Sequence, residues 1–175
     1  MLAGEYWQAQ RGEREMPRRS DLNPGAMRKF TEHVGLIEVR VGRETDYFIR
    51  RAGTQWEQVF GPMTGKFIHE FLPPEIETRW RSVFDVVRER KAPLRVTTGI
   101  QFRRKTWLEA EMFVAPIGDD EVSMLLMTFV SSRPAFRAGE KLASTSFASL
   151  PHQPAGGIGW ATLSGQVGRP CAVAL

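Results

Sequence analysis

Three stretches of alternating apolar and polar residues follow one another between Leu94 and Val130, broken only by RRK at 103–105 and GDDE at 118–121. Residues 94–102 place Leu94, Val96, Thr98, Ile100 and Phe102 on one face. Residues 107–117 place Leu108, Ala110, Met112 and Val114 on one face, with Glu109 and Glu111 opposite. Residues 122–130 are apolar on both faces, the pattern of a central strand covered on two sides. Connections as short as these two join antiparallel neighbours, because a parallel crossover needs a dozen residues or more. A three-stranded antiparallel meander is therefore the feature around which the rest of the chain must fold.

The residues upstream supply what such a sheet needs. VGLIEVRV at 34–41 and DYFIRRA at 46–52 read as two further strands, with 42–45 as the hairpin loop between them. Pro73 and Pro74 open the longest helix, to about Arg90. Its apolar residues Ile76, Trp80, Val83, Phe84 and Val87 recur at helical spacing and form one face. Glu75, Glu77, Arg81, Asp85, Arg88 and Glu89 cover the other, and Pro93 ends it. Between strand and helix lies AGTQWEQVFG, 52–61. Thr54 and Glu57 have the spacing of a capping box, in which hydroxyl and carboxylate satisfy opposite backbone N–H groups. A short helix over 3–11 presents Tyr6 and Trp7. A second short helix carries Met27 and Phe30, with Asn23 as its cap and Pro24 at its first position.

The whole 175-residue chain carries a formal charge of +4, but the excess is local. Residues 133–175 hold four basic residues and one acidic, leaving the first 132 almost neutral. A near-neutral folded part speaks against nucleic-acid binding. The basic runs at Arg11–Arg19 and Arg103–Lys105 read as solvated surface. No apolar run is long enough to span a bilayer, and the N-terminus has no secretory leader pattern, so a cytoplasmic protein is expected. The single cysteine, Cys171, excludes an internal disulfide and a Cys-rich zinc site. From 132 onward Ala, Gly, Ser and Pro dominate without periodicity, and a flexible tail is expected, with Trp160 its one large aromatic.

Catalytic constellations are hard to assemble from these residues. His33, His69 and His152 are scattered, with no metal-ligand spacing between them. There is no nucleophile elbow and no phosphate loop. A non-enzymatic protein is expected, with no catalytic residue and no metal ligand assigned.

Two strands, short helices, one long helix and a three-stranded meander is the element order of a PAS domain, and the local text supports the likeness. Tyr6-Trp7 and Arg11-Gly12 match an opening Tyr-Trp helix followed by Arg-Gly. Pro17, Arg19, Asp21 and Pro24 match loosely a Pro-x-Arg-x-Asp-x-x-Pro run. Arg50, Ala52, Gly53 and Thr54 match an aromatic-Arg-x-Ala-Gly-Thr strand end, with Ile49 where an aromatic is common. Phe60-Gly61 and Thr64-Gly65 match a Phe-Gly-x-x-x-Thr/Leu-Gly turn. Over about residues 5–131 the sequence resembles the single-domain PAS proteins of alphaproteobacteria.

The resemblance implies an α+β, PAS fold: a five-stranded antiparallel sheet with helices on one face around a small cavity. It divides the chain into an N-terminal helical cap at 1–32, the PAS domain at 33–131 and the tail at 132–175. It also implies a sensory or signalling module acting through a partner protein or a homodimer; the charge balance and hydropathy above leave no nucleic acid and no membrane expected as partner. Trp56, Phe60, Phe67, Phe71, Trp80, Phe84, Met112 and Met124 are the candidate lining of a ligand cavity, against core packing as the plainer reading of each. Arg50, between Phe48 and Ala52 on its own face, is expected to point inward and orient a polar ligand head; the alternative is a surface position paired with a nearby Glu. His69 is the one candidate haem ligand, and a flavin photosensor would need a pocket cysteine that Cys171 does not supply; the cofactor stays unknown. The rival to the ligand-binding sensor is a ligand-free PAS adaptor, with a filled core, that docks a kinase or transcription regulator. Cavity volume separates the two.

Overall fold

The computed structural model of the chain describes residues 2–102, 105–132 and 161–164. Helix α1 (Leu2–Arg11) is followed by two 3-10 segments, Arg19–Asp21 and Ala26–His33. Strands β1 (Val34–Val41) and β2 (Thr45–Ala52) form a hairpin, and α2 (Thr54–Phe60), a 3-10 turn (Ile68–Glu70) and α3 (Pro74–Arg90) cross to the meander β3 (Leu94–Phe102), β4 (Lys105–Gly118) and β5 (Val122–Ser132). These five strands form one antiparallel sheet in the order β2-β1-β5-β4-β3. The expected five-stranded α+β architecture is present, with β1 inserted beside β5.

A short strand β6 (Ala161–Ser164) pairs parallel with β3, Leu94 opposite Ala161. This departs from the expectation of a tail without regular structure. The cause is the edge: β3 would otherwise expose unpaired N–H and C=O groups, and such an edge templates any short extended segment that reaches it. Arg103 and Arg104 of the turn expected at 103–105, His152, Trp160 and Cys171 lie outside the described residues.

The central strands are buried on both faces, and pairing register sorts their side chains. Met112 lies opposite Phe129 and Val114 opposite Met127, on the face that receives α2 and α3. Phe113, Ala115 and Ile117 lie opposite Thr128, Leu126 and Met124 on the other face, and all six are also buried. The N-terminal cap reaches β4. Trp7 donates its indole N–H to the Pro116 carbonyl at 2.7 Å, and Gly118 N–H donates to Pro17 O at 3.0 Å. Helices confined to one face, as read from the sequence, therefore understate the packing. A sheet buried on both faces keeps α1 and its Ala3, Tyr6 and Trp7 inside the core.

Helix α3 runs over the residues its periodicity marks. Trp80, Phe84 and Val87 are buried, Ile76 and Val83 partly so. Each fully buried side chain of this size stabilises by about 1.5–3 kcal/mol relative to exposure. Lys91 closes the helix in the left-handed conformation at φ 48°. Asn23 caps the turn at the start of Ala26–His33, its Oδ1 accepting from Gly25 N–H at 2.9 Å and Ala26 N–H at 3.4 Å.

Candidate functional site

The junction from β2 to α2 is built differently from its sequence signature. The N-cap of α2 is Gly53, extended at φ −74° and ψ 162°, with no side-chain cap. Thr54 is the first helical residue, so its hydroxyl is misplaced for a capping box. Glu57 instead accepts from the Thr64 hydroxyl at 3.1 Å, and Thr64 Oγ1 accepts from Ala52 N–H at 3.1 Å. Glycine is required at 53 by proximity: a Cβ there would lie 2.3 Å from the Glu32 carbonyl oxygen. The end of the Ala26–His33 segment thus rests directly on the start of α2. Gly53 N–H donates to Val34 O at 2.8 Å, and the Trp56 indole N–H donates to His33 O at 2.7 Å.

Trp56 hangs from this junction into the space between helices and sheet. Its ring lies 5.0 Å from Phe129, 5.7 Å from Trp80 and 5.8 Å from Phe60, centroid to centroid. Trp80 in turn lies 5.3 Å from Phe60 and 5.8 Å from Phe84, and Phe84 lies 4.9 Å from Tyr47. Most of these pairs meet edge to face, the arrangement that aromatic quadrupoles favour. The structure therefore brings Trp56, Phe60, Trp80 and Phe84 together, as expected, and sets Met112 on the same face of the sheet. Phe71 is half-buried at the margin, 6.5 Å from Trp80. Phe67 is further out, its ring 5.2 Å from Phe48.

Two of the residues singled out from the sequence lie elsewhere. Met124 pairs with Ile117 and Glu38 on the opposite face of the sheet, because residues five apart on a regular strand point to opposite sides. Arg50 points outward, with half of its side chain exposed and Nη1 3.7 Å from Glu38 Oε2. The pairing explains why. Tyr47 and Ile49 face the core opposite Val39 and Ile37, so the next residue, Arg50, turns to the outer face of Phe48 and Glu38; Leu36 faces Arg51, which also leaves Arg50 as the extra residue of a β-bulge. Tyr47 and Ile49 occupy the inward positions that the flanking of Arg50 suggested for it.

What remains between the packed rings is a gap of about 10 Å³ bounded by Gly35, Ile37, Ile49, Ala52, Trp56, Met63, Trp80 and Met127. A single water needs roughly 10–15 Å³. The aromatic cluster is a filled interior in this conformation. His69 stands outside it, 45% exposed, with its ring stacked on Phe67 and Nδ1 3.3 Å from Asp46 Oδ2.

Polar contacts that periodicity did not reveal lock α3 to the β1–β2 hairpin. Arg81 donates from Nη1 to Thr45 O at 2.8 Å, from Nη2 to Asp46 Oδ1 at 2.9 Å and from Nε to Glu77 Oε1 at 2.7 Å. The Tyr47 hydroxyl donates to Asp85 Oδ1 at 2.5 Å. Burial raises the Tyr47 pKa far above its ordinary value, and the Asp85 carboxylate adds to the rise. The Glu77/Arg81 spacing of four was the one trace of this network in the sequence. Among the described residues no group of three or more His, Cys, Asp or Glu is placed to hold a metal ion.

A family model described as PAS domain matches residues 1–129. The chain belongs to the PAS-domain family. The match takes in the N-terminal cap as well as the sheet, in keeping with the burial of α1 against β4. Members of the family are sensory and signalling modules. Among solved structures, this PAS domain is similar to one described under the words "Flavin Analogue Sheds Light on Light-Oxygen-Voltage Domain Mechanism", at 14% identity and a TM-score of 0.46, covering 62% of this chain and 83% of that one. It is also similar to a substituted form of RsLOV, at 12% identity and a TM-score of 0.44, covering 65% and 68%. No curated protein matches the chain. No helix among the described residues is long and apolar enough to cross a membrane.

Proposed function

We propose that this PAS domain is a ligand-free cytoplasmic adaptor, docking a signalling partner through its surface, and that its aromatic interior serves as core. The observation that carries this reading is the gap of about 10 Å³ where a ligand-binding relative would need space. Small-molecule sites run to roughly 300–1,000 Å³. Opening such a volume here means displacing Trp56 or Trp80, each buried and each in contact with three or more other rings. The outward position of Arg50 supports the same reading, since it removes the charged group that was to orient a ligand head inside.

The test is native mass spectrometry of the full chain purified from its own host. The expected mass is that of the bare polypeptide. A stoichiometric small-molecule adduct that the unfolded chain loses would overturn the reading in favour of a sensor whose core opens around its ligand.

A further inference from the structure

A cleft of about 390 Å³ lies on the surface above the β2–α2 junction, lined by Arg28, Lys29, Thr31, Glu32, Arg51, Ala52, Gly53 and Thr54. It is separate from the aromatic interior. Its walls are the Ala26–His33 segment on one side and the last turn of β2 with the start of α2 on the other. Three cations converge on it from these walls. All three are exposed, and among the described residues none of their side chains forms an ion pair or hydrogen bond.

Arg19, Arg43, Lys66, Arg79 and Arg90 likewise reach no carboxylate among the described residues, so what sets these three apart is that they line one cleft. Arg14, Arg18, Arg40, Arg50, Arg81, Arg88 and Arg95 each reach a carboxylate. The one carboxylate in the cleft, Glu32, lies 3.4 Å from His33 Nε2. The lining therefore carries three cations against one anion, a net +2, while the first 132 residues as a whole are almost neutral. The two walls are held in place by bonds that use none of the cations: Gly53 N–H to Val34 O, and the Trp56 indole N–H to His33 O.

We infer that this cleft binds a phosphate monoester, held by Arg28, Lys29 and Arg51. A phosphate monoester carries about −1.5 to −2 charge at neutral pH, which matches the surplus of the lining; a single carboxylate would leave it half neutralised. Two arginines present planar forks suited to bidentate contact with phosphate oxygens, and the lysine adds a point charge. The exposed Thr54 offers a hydroxyl at the same rim. The volume exceeds that of the phosphate group and leaves room for the organic body that bears it. The inference does not depend on the interior being filled, and it goes beyond the adaptor reading by assigning a site and a ligand chemistry.

Calorimetric titration of the full chain with inorganic phosphate, phenyl phosphate and a phosphoserine peptide tests it at low ionic strength. Binding of phenyl phosphate or the peptide is expected at least about tenfold tighter than inorganic phosphate, and Arg51→Gln and Arg28→Gln are each expected to weaken it about tenfold. Tighter binding of phenyl phosphate identifies a small-molecule site, and tighter binding of the peptide a phosphorylated partner. Arg43→Gln, in the distant β1–β2 loop, serves as control and is expected to bind as the wild type does. No binding of any of the three probes at about 10 mM, a level that would detect even weak sites, overturns the inference. So does an equal loss in the Arg43 variant, which would mark the effect as net charge alone.

Discussion

Gly53→Ala sets two effects of opposite sign against each other, and the structure decides between them. At φ −74° and ψ 162° the backbone suits alanine, so stiffening the unfolded chain should stabilise by about 0.4–1 kcal/mol. The added methyl, however, would stand 2.3 Å from Glu32 O and 2.5 Å from Glu32 C and Thr31 O, where real Cβ contacts do not fall below 3.0 Å. All three obstacles are backbone atoms, so no rotamer relieves the clash; one wall must retreat by about 0.7 Å. Overpacking of this kind costs about 1–3 kcal/mol. The retreat also stretches the bonds from Gly53 N–H to Val34 O and from the Trp56 indole to His33 O, worth about 1 kcal/mol together if each is weakened by half. The net is a loss of about 2 kcal/mol, or a fall in Tm of about 4–8 °C for a chain of this size. Thermal unfolding followed by circular dichroism reads it directly. Gly42→Ala is the control, since its Cβ would meet nothing closer than Glu44 O at 3.6 Å, and it should stay within about 0.5 kcal/mol of the wild type. A Gly53→Ala protein as stable as the wild type, or more so, would refute the argument that two backbones touch at this junction.

Trp56→Ala should cost about 3–5 kcal/mol in urea unfolding, because the ring is 1% exposed and touches Phe60, Trp80 and Phe129. Trp56→Phe should recover part of that and still fall short by about 1–3 kcal/mol, the cost of leaving His33 O without its donor. Arg50→Ala should change stability by less than about 0.5 kcal/mol in the same assay, since an exposed pair at 3.7 Å contributes little. Tyr47→Phe should cost about 1 kcal/mol at neutral pH. It should also flatten the alkaline limb: the folded pKa of Tyr47 lies above the unfolded value of 10, so its contribution is full below pH 10 and is lost as pH rises toward the folded value. Urea midpoints measured from about pH 8 to pH 11 should fall less steeply in the variant than in the wild type.

Periodicity located most of the fold because α3 buries one defined face and the strands either alternate or run apolar on both faces. The bounds of β3 and α3 read from alternation and from Pro73–Pro74 agree with the structure, because the alternation of two and the helical spacing are local properties of the chain. Thr54 and Arg50 show where local reasoning stops. The capping box at Thr54 needed the helix to begin one residue later than it does, and Gly53 moved that boundary through a contact with Glu32, distant in sequence. The inward Arg50 needed Phe48 to face the core, and the pairing with β1 gives that phase to Tyr47 and Ile49 instead, leaving Phe48 opposite Glu38 on the outer face. Which phase of an alternating strand faces the core is a property of two strands together, so neither strand's text announces it.

The same distinction explains the interior. The sequence supplies large aromatics at 56, 60, 80, 84 and 129, and their number alone fits both a lined cavity and a filled core. Which of the two forms is set by how the rings tilt against each other. Edge-to-face contacts at 4.9–5.8 Å between centroids close the space that face-on rings around a ligand would leave. That tilt is imposed from outside the cluster. Trp56 is oriented by its indole bond to His33 O, at the end of the Ala26–His33 segment, and Tyr47 is oriented by its hydroxyl bond to Asp85 of α3. The Ala26–His33 segment therefore does more than lead into β1: through the His33 carbonyl and its contact with Gly53 it fixes the ring around which the others pack. Any partner or phosphate ligand that moves the Ala26–His33 segment must also strain the Trp56 bond. A signal received at the basic cleft thus has a physical route into the core that requires no ligand inside it.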